Sequence, residues 1–233
     1  MSKFRFGKYK SSDSMSDLIS ENYFALLVMS RFGITMGFGD KNIGEVCKDY
    51  AVDTDTFLAV INLMINHNQI ISSTETLVSL ESLMEYLYNS HNYFLKYRLP
   101  EIRNNLAKVL NKDQVELNKA VLEYFDKFVE EVDKHMHYED KKIFPYVKAL
   151  LQNKNDNKHP IAFSKQHEDI ENTLSEFKNI FIKYYPAKNS NEINSVLFDI
   201  FSCEKDLSSH NAVEDLLFLP AIEELENKNK DNT

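Results

Sequence analysis

Two histidine–glutamate pairs along this chain share one spacing and one downstream proline. His135 is followed four residues later by Glu139 and ten later by Pro145; His210 is followed by Glu214 and Pro220 at the same offsets. On an α-helix, four-residue spacing puts an imidazole and a carboxylate on one face, one turn apart, within reach of a single metal ion. A lone histidine precedes each pair at nearly matching distance, His91 lying 44 residues before His135 and His167 lying 43 before His210. The unit is a histidine, then H-x-x-x-E, used twice. A single such pair in a glutamate-rich helical chain is as often structural, so the weight rests on the duplication. Four histidines and two glutamates in approximate two-fold order are what a four-helix bundle housing two metal ions requires.

The elements that must carry these residues are legible from apolar periodicity. From Ser72 onward four long helical stretches are expected, at about 75–110, 113–151, 160–185 and 190–227. Their breaks are Asn111-Lys112, the segment Asn153 to Lys158, and the segment Pro186 to Ser190, each short enough for an antiparallel connection. Val121, Leu122, Phe125, Phe128, Val129 and Val132 recur at three-and-four spacing up to His135, so the proposed ligands extend a buried face. Leu174, Phe177, Phe181 and Ile182 repeat the design after His167, as do Val196, Leu197, Ile200, Phe201 and Leu207 before His210. Pro145 and Pro220 are costly inside a helix, and their matched placement predicts a kink or a helix end beyond each pair. Pro100 follows His91 in the same sense. His137 lies two residues from His135 and so about 200° around the helix. It is assigned to a surface or capping role, as are His67 and His159. Tyr93 and Tyr138 are read as ordinary packing residues.

The first 72 residues have a different style. All five glycines fall at or before Gly44 and all five prolines at or after Pro100. Short apolar segments at Leu18–Phe32, Ile43–Tyr50 and Thr56–Ile65 predict a small helical N-terminal domain, 1–72, ahead of a bundle domain, 73–233. Asp53 or Thr54 is expected to cap the third segment. Residues 228–233 have nothing to bury and are expected to fray.

Composition narrows the class. Of 233 residues, 43% are hydrophobic, enough for a real core, and the formal net charge is −9, which disfavours a nucleic-acid partner. No run of 18 apolar residues occurs and no signal-like segment follows the basic start, so no membrane association and a cytoplasmic location are expected. Cys47 and Cys203 are too isolated for a disulfide framework or a thiolate zinc site and read as small buried hydrophobes.

With these residues the chain resembles the hemerythrin-like di-iron family over about residues 80 to 227. Within it the chain is most similar to the Repair of Iron Centers proteins, because oxygen-carrying hemerythrins place a fifth histidine where this chain has Glu171. The stretch from Phe32 to Cys47 is similar to the small domain preceding the bundle in such proteins. The Cys-Cys pair common there is absent, Gly37-Phe38 or their neighbours standing in its place. The resemblance implies an all-α fold, an antiparallel four-helix bundle preceded by a small helical domain. It also implies two iron ions, oxo- or hydroxo-bridged, one held by His91 and His135, the other by His167 and His210, with Glu139 and Glu214 bridging. Such a donor set leaves each ion short of six ligands, open to dioxygen or nitric oxide. The implied role is repair of iron–sulfur or other iron centres damaged by oxidative or nitrosative stress, with damaged iron–sulfur proteins as partners. The alternative is a protein that binds or senses dioxygen or nitric oxide and signals through its N-terminal domain. Residues 43–62 do scan like a helix-turn-helix, but Thr54–Met64 carries no Lys or Arg.

Overall fold

A computed structural model describes residues 9–65, 78–154, 164–186 and 190–231. Every regular element among them is a helix; the one extended pairing is an isolated antiparallel bridge between Ser14 and Asn42. No helix of the described residues is long and apolar enough to cross a membrane. The chain falls into two compact units, one of residues 1–90 with 212–233 and one of residues 91–211. The boundary passes inside two long helices.

In the first unit, α1 (Met15–Glu21) and α2 (Ala25–Arg31) replace the single segment expected over Leu18–Phe32. The break falls at Asn22, whose backbone (φ −142°, ψ 84°) leaves the helical region. Ser14 caps α1 by accepting from the Asp17 amide. Gly33, at φ 72°, closes α2, with its amide and that of Ile34 returning to the Ser30 and Met29 carbonyls. Asn42 and Glu45 form a reciprocal capping box on α3 (Ile43–Asp49). Asp53 is the residue that caps α4 (Thr54–Ile65), accepting from the Thr56 amide at 2.8 Å. α4 buries Thr56, Phe57 and every residue from Ala59 to Met64. The helical segment α5 (Leu80–Tyr93) begins in this unit, where the Arg31 guanidinium lies 5.9 Å from the Tyr86 ring centre. At the other end α11 (Leu219–Asp231) continues past the point where fraying was expected, with Lys228 and Glu224 paired at 2.6 Å. His67 and the rest of 66–77 lie outside the described residues.

The second unit is the bundle core. Its helices are the end of α5 with α6 (Leu99–Val109), α7 (Val115–Tyr138) with α8 (Phe144–Leu151), α9 (Ser164–Tyr184), and α10 (Ser190–Val213) as far as Asn211. The seams are strict. On α7 a buried stripe runs Val121, Phe125, Phe128, Val132, His135, and on α10 one runs Ile193, Val196, Ile200, Cys203, Leu207, His210, with steps that alternate four and three. Toward the histidines each widens, with Met136 on α7 and Asp206, Ser209 and Asn211 on α10 buried beside it. Ile182 and Phe201, expected in the core, are 54% and 45% exposed because they stand off the stripe.

Three wide π-helical turns interrupt the long helices: Phe94–Arg98, Glu139–Ile143 and Glu214–Phe218. Each ends just before an x-Pro pair that opens the next helix, Leu99-Pro100, Phe144-Pro145 or Leu219-Pro220. In each, the amide ahead of the proline reaches back five residues, to the carbonyl of Phe94, Glu139 or Glu214. The kink expected at the prolines is therefore an inserted residue. Widening the turn moves the proline ring away from the carbonyl it would strike in a regular helix. α8 then ends at Asn153, which takes the left-handed conformation (φ 54°) that asparagine tolerates.

Candidate metal centre

His135 and Glu139 sit at the end of the α7 seam, so the periodicity that buries Phe128 and Val132 also buries them. His91, His167 and His210 are buried in the same unit, at 1%, 4% and 0% exposure. His91, Glu139 and His210 each offer a ligand-type atom within 4.8 Å of the others, and so do His135, Glu139 and His167. Glu139 belongs to both trios. Its Oε2 lies 3.3 Å from His91 Nε2 and its Oε1 lies 3.4 Å from His135 Nε2. One carboxylate thus turns one oxygen to each trio. These distances exceed a good N–H···O hydrogen bond. They match two donors sharing one ion, which stand about 3.0–3.4 Å apart when each bond is about 2.1 Å.

The ring contacts define the pairing. The His91 and His210 ring centres are 5.2 Å apart and those of His135 and His167 are 4.8 Å apart, both edge to face. The division implied by the family resemblance, His91 with His135 and His167 with His210, is corrected by this geometry. His135 and His91 face opposite oxygens of Glu139, so the carboxylate stands between them and each takes its partner from another helix. Glu214 is buried and stands one turn beyond His210 along the same helical run, heading the wide turn Glu214–Phe218 as Glu139 heads its own.

The remaining histidines separate cleanly. His137 is exposed and bonds within its own helix, to the Asp133 carbonyl at 2.9 Å. His159 lies outside the described residues. Tyr138 is 42% exposed, and Tyr93 packs at the edge of the apolar core beside Phe94 and Tyr97. Glu171, one turn after His167, accepts from Asn211 Nδ2 at 2.8 Å and is in neither trio.

Two neighbours of the site escaped the reading of spacing. Asp140 Oδ1 lies 2.8 Å from His91 Nδ1, and Phe144 stacks on the His91 ring at 5.6 Å with 7° between planes. A signal for the first was present: an aspartate follows the glutamate in both motifs, as Glu139-Asp140 and Glu214-Asp215.

The hemerythrin HHE cation-binding domain model matches residues 82–222, a span that includes all six proposed ligands. The chain belongs to that family. No curated protein matches it. Family and geometry together make this a hemerythrin-like helical bundle with buried histidine and glutamate groups able to hold a cation. The donor set fits such a group on its own chemistry: neutral imidazoles and carboxylates, buried, converging, and spaced for shared coordination.

Proposed function

We propose that the protein is a non-haem di-iron protein of stress response that restores iron–sulfur or other iron centres damaged by oxidation or nitrosation. One ion falls to His91 and His210, the other to His135 and His167, with Glu139 and Glu214 spanning both. The observation that carries the reading is the split carboxylate of Glu139, which has one oxygen toward each histidine pair at 3.3 and 3.4 Å. Glu214 enters on its one-turn spacing from His210 and its burial, which repeat those of Glu139. When bound, two adjacent irons supply one-electron chemistry toward a small diatomic such as nitric oxide or dioxygen, or a source of iron for a damaged cluster.

The chain's own residues bind and orient. The four imidazoles supply neutral donors, so the two carboxylates carry the negative charge that offsets the cations in a dry core. The apolar seams below the site, Phe125, Phe128, Phe177 and Ile200 among them, limit water access from that end. Damaged iron–sulfur proteins are the proposed partners and the cytoplasm the proposed location. A sensing role through DNA is less well supported. α4 buries eight of its twelve residues, and the face left outside that core, Thr54, Asp55, Leu58 and Ile65, carries no Lys or Arg to meet a phosphate backbone.

The test is anaerobic purification, followed by iron content, optical spectrum, and incubation with a nitrosylated iron–sulfur enzyme. Two irons per chain with oxo-bridge absorption, and recovery of the client enzyme, support the proposal. Two irons with reversible gas binding and no recovery would instead establish a binding protein. Zinc in place of iron overturns both.

A further inference from the structure

His91 is held on three sides by one short stretch of chain. Asp140 Oδ1 is 2.8 Å from its Nδ1, Glu139 Oε2 is 3.3 Å from its Nε2, and Phe144 lies flat against its ring. Consecutive helical side chains diverge by about 100°. Glu139 and Asp140 therefore cannot converge on one atom, but they can take the two opposite nitrogens of a ring that enters between them. This clasp lies within the wide turn Glu139–Ile143.

We infer that Asp140 is a positioning residue that sets the His91 tautomer and aims its Nε2 at the metal. The inference rests on the di-metal reading above. A neutral imidazole carries one N–H, and an ionised carboxylate only accepts. The proton of His91 is accordingly on Nδ1, and the lone pair is on Nε2, the nitrogen that faces Glu139. The His91 side chain is 1% exposed whereas that of Asp140 is 21% exposed, so the carboxylate keeps contact with water while the ring does not. A carboxylate behind a ligating imidazole also makes the opposite nitrogen a stronger donor. Phe144 restricts rotation of the ring about the same axis.

The test uses the full chain labelled with 15N-histidine, with and without zinc, as wild type, Asp140→Asn and Asp140→Ala. Asn keeps an acceptor oxygen at nearly the same place; Ala removes it. Expected are a slowly exchanging Nδ1–H for His91 in wild type and Asp140→Asn, and its loss in Asp140→Ala. Zinc affinity of one of the two ions should fall roughly 10–100-fold in Asp140→Ala. Unchanged His91 tautomer and unchanged zinc affinity in Asp140→Ala would overturn the inference. So would equal affinity losses in both variants with the Nδ1–H retained, because that pattern belongs to a merely structural residue. If wild type binds no zinc or iron, the di-metal reading fails. The tautomer of the metal-free protein then decides the role of Asp140 separately.

Discussion

The N-terminal helices and the bundle helices bury polar groups in opposite ways. In the N-terminal region the buried Asn62 is closed locally, its Oδ1 accepting from the Tyr9 amide at 2.7 Å and its Nδ2 donating to the Tyr9 carbonyl at 3.1 Å. Helix starts there are capped by Ser14, Asn42 and Asp53. In the bundle four histidines and Glu139 are buried, and Glu139, heading a wide turn ahead of Pro145, faces His91 at 3.3 Å and His135 at 3.4 Å, longer than good hydrogen bonds. Residues of the first kind lower the free energy of the fold. Those of the second kind carry a desolvation cost that a bound cation would offset.

The largest expected effect breaks the second kind of burial. Glu139→Leu removes the carboxylate shared by both histidine pairs and should abolish metal binding altogether, read as metal per chain after dialysis against iron or zinc. The metal-free variant should nonetheless melt at or above the temperature of metal-free wild type. Taking a carboxylate out of water into the core costs several kcal/mol, on the order of what its partners return, and a leucine of similar size does not bear that cost. A metal-free variant that melts lower would show that Glu139 is already compensated within the protein, and the contrast would fail.

The histidine pairing is the next test. His91→Ala with His210→Ala strips donors from one trio only, and about one ion per chain should remain. His91→Ala with His135→Ala takes a donor from each trio, and both ions should weaken together. The reverse outcome would restore the pairing that the family resemblance implies. Metal stoichiometry with a competing chelator distinguishes the two cases.

What was legible and what was not divides along the same line. Seam periodicity located α7, α9 and α10 and carried His135, Glu139, His167 and His210 into the core, because burial on one helix is a local property of spacing. Pairing was not local. Which histidine meets which depends on the register between helices, and one carboxylate standing between His91 and His135 reverses the assignment. The prolines announced an irregularity but not its form, since a π turn adds a residue without changing composition. Ile182 and Phe201 misled for the opposite reason, being apolar side chains off the stripe. Asp140 was passed over because a helical neighbour of a ligand ordinarily points elsewhere.

A smaller effect sharpens the N-terminal side of the comparison. Asp53→Ala removes the cap that receives the Thr56 amide and hydroxyl at the start of α4. The loss should be about 1 kcal/mol, measured by urea unfolding, with metal content unchanged. A fall in bound metal would mean that the two burial strategies are coupled.

The smallest effect concerns Cys47, a buried thiol of the N-terminal region. Burial pushes its pKa from the usual 9.0 up to about 11. Because the folded state holds this proton more tightly than the unfolded state, the group adds nothing to the pH dependence of stability below pH 9. It should reduce stability progressively between pH 9 and about 11, where the unfolded thiol is ionised and the folded one is not. At neutral pH the thiol is protonated and 0% exposed, so a thiol reagent should label folded protein far more slowly than protein in denaturant. Rapid labelling of the native, metal-loaded protein at pH 7.5 would show that this region opens and that Cys47 is available for chemistry with a partner. Slow labelling, together with a stability profile that turns down only above pH 9, would leave Cys47 as a packing residue, like the capped helices around it.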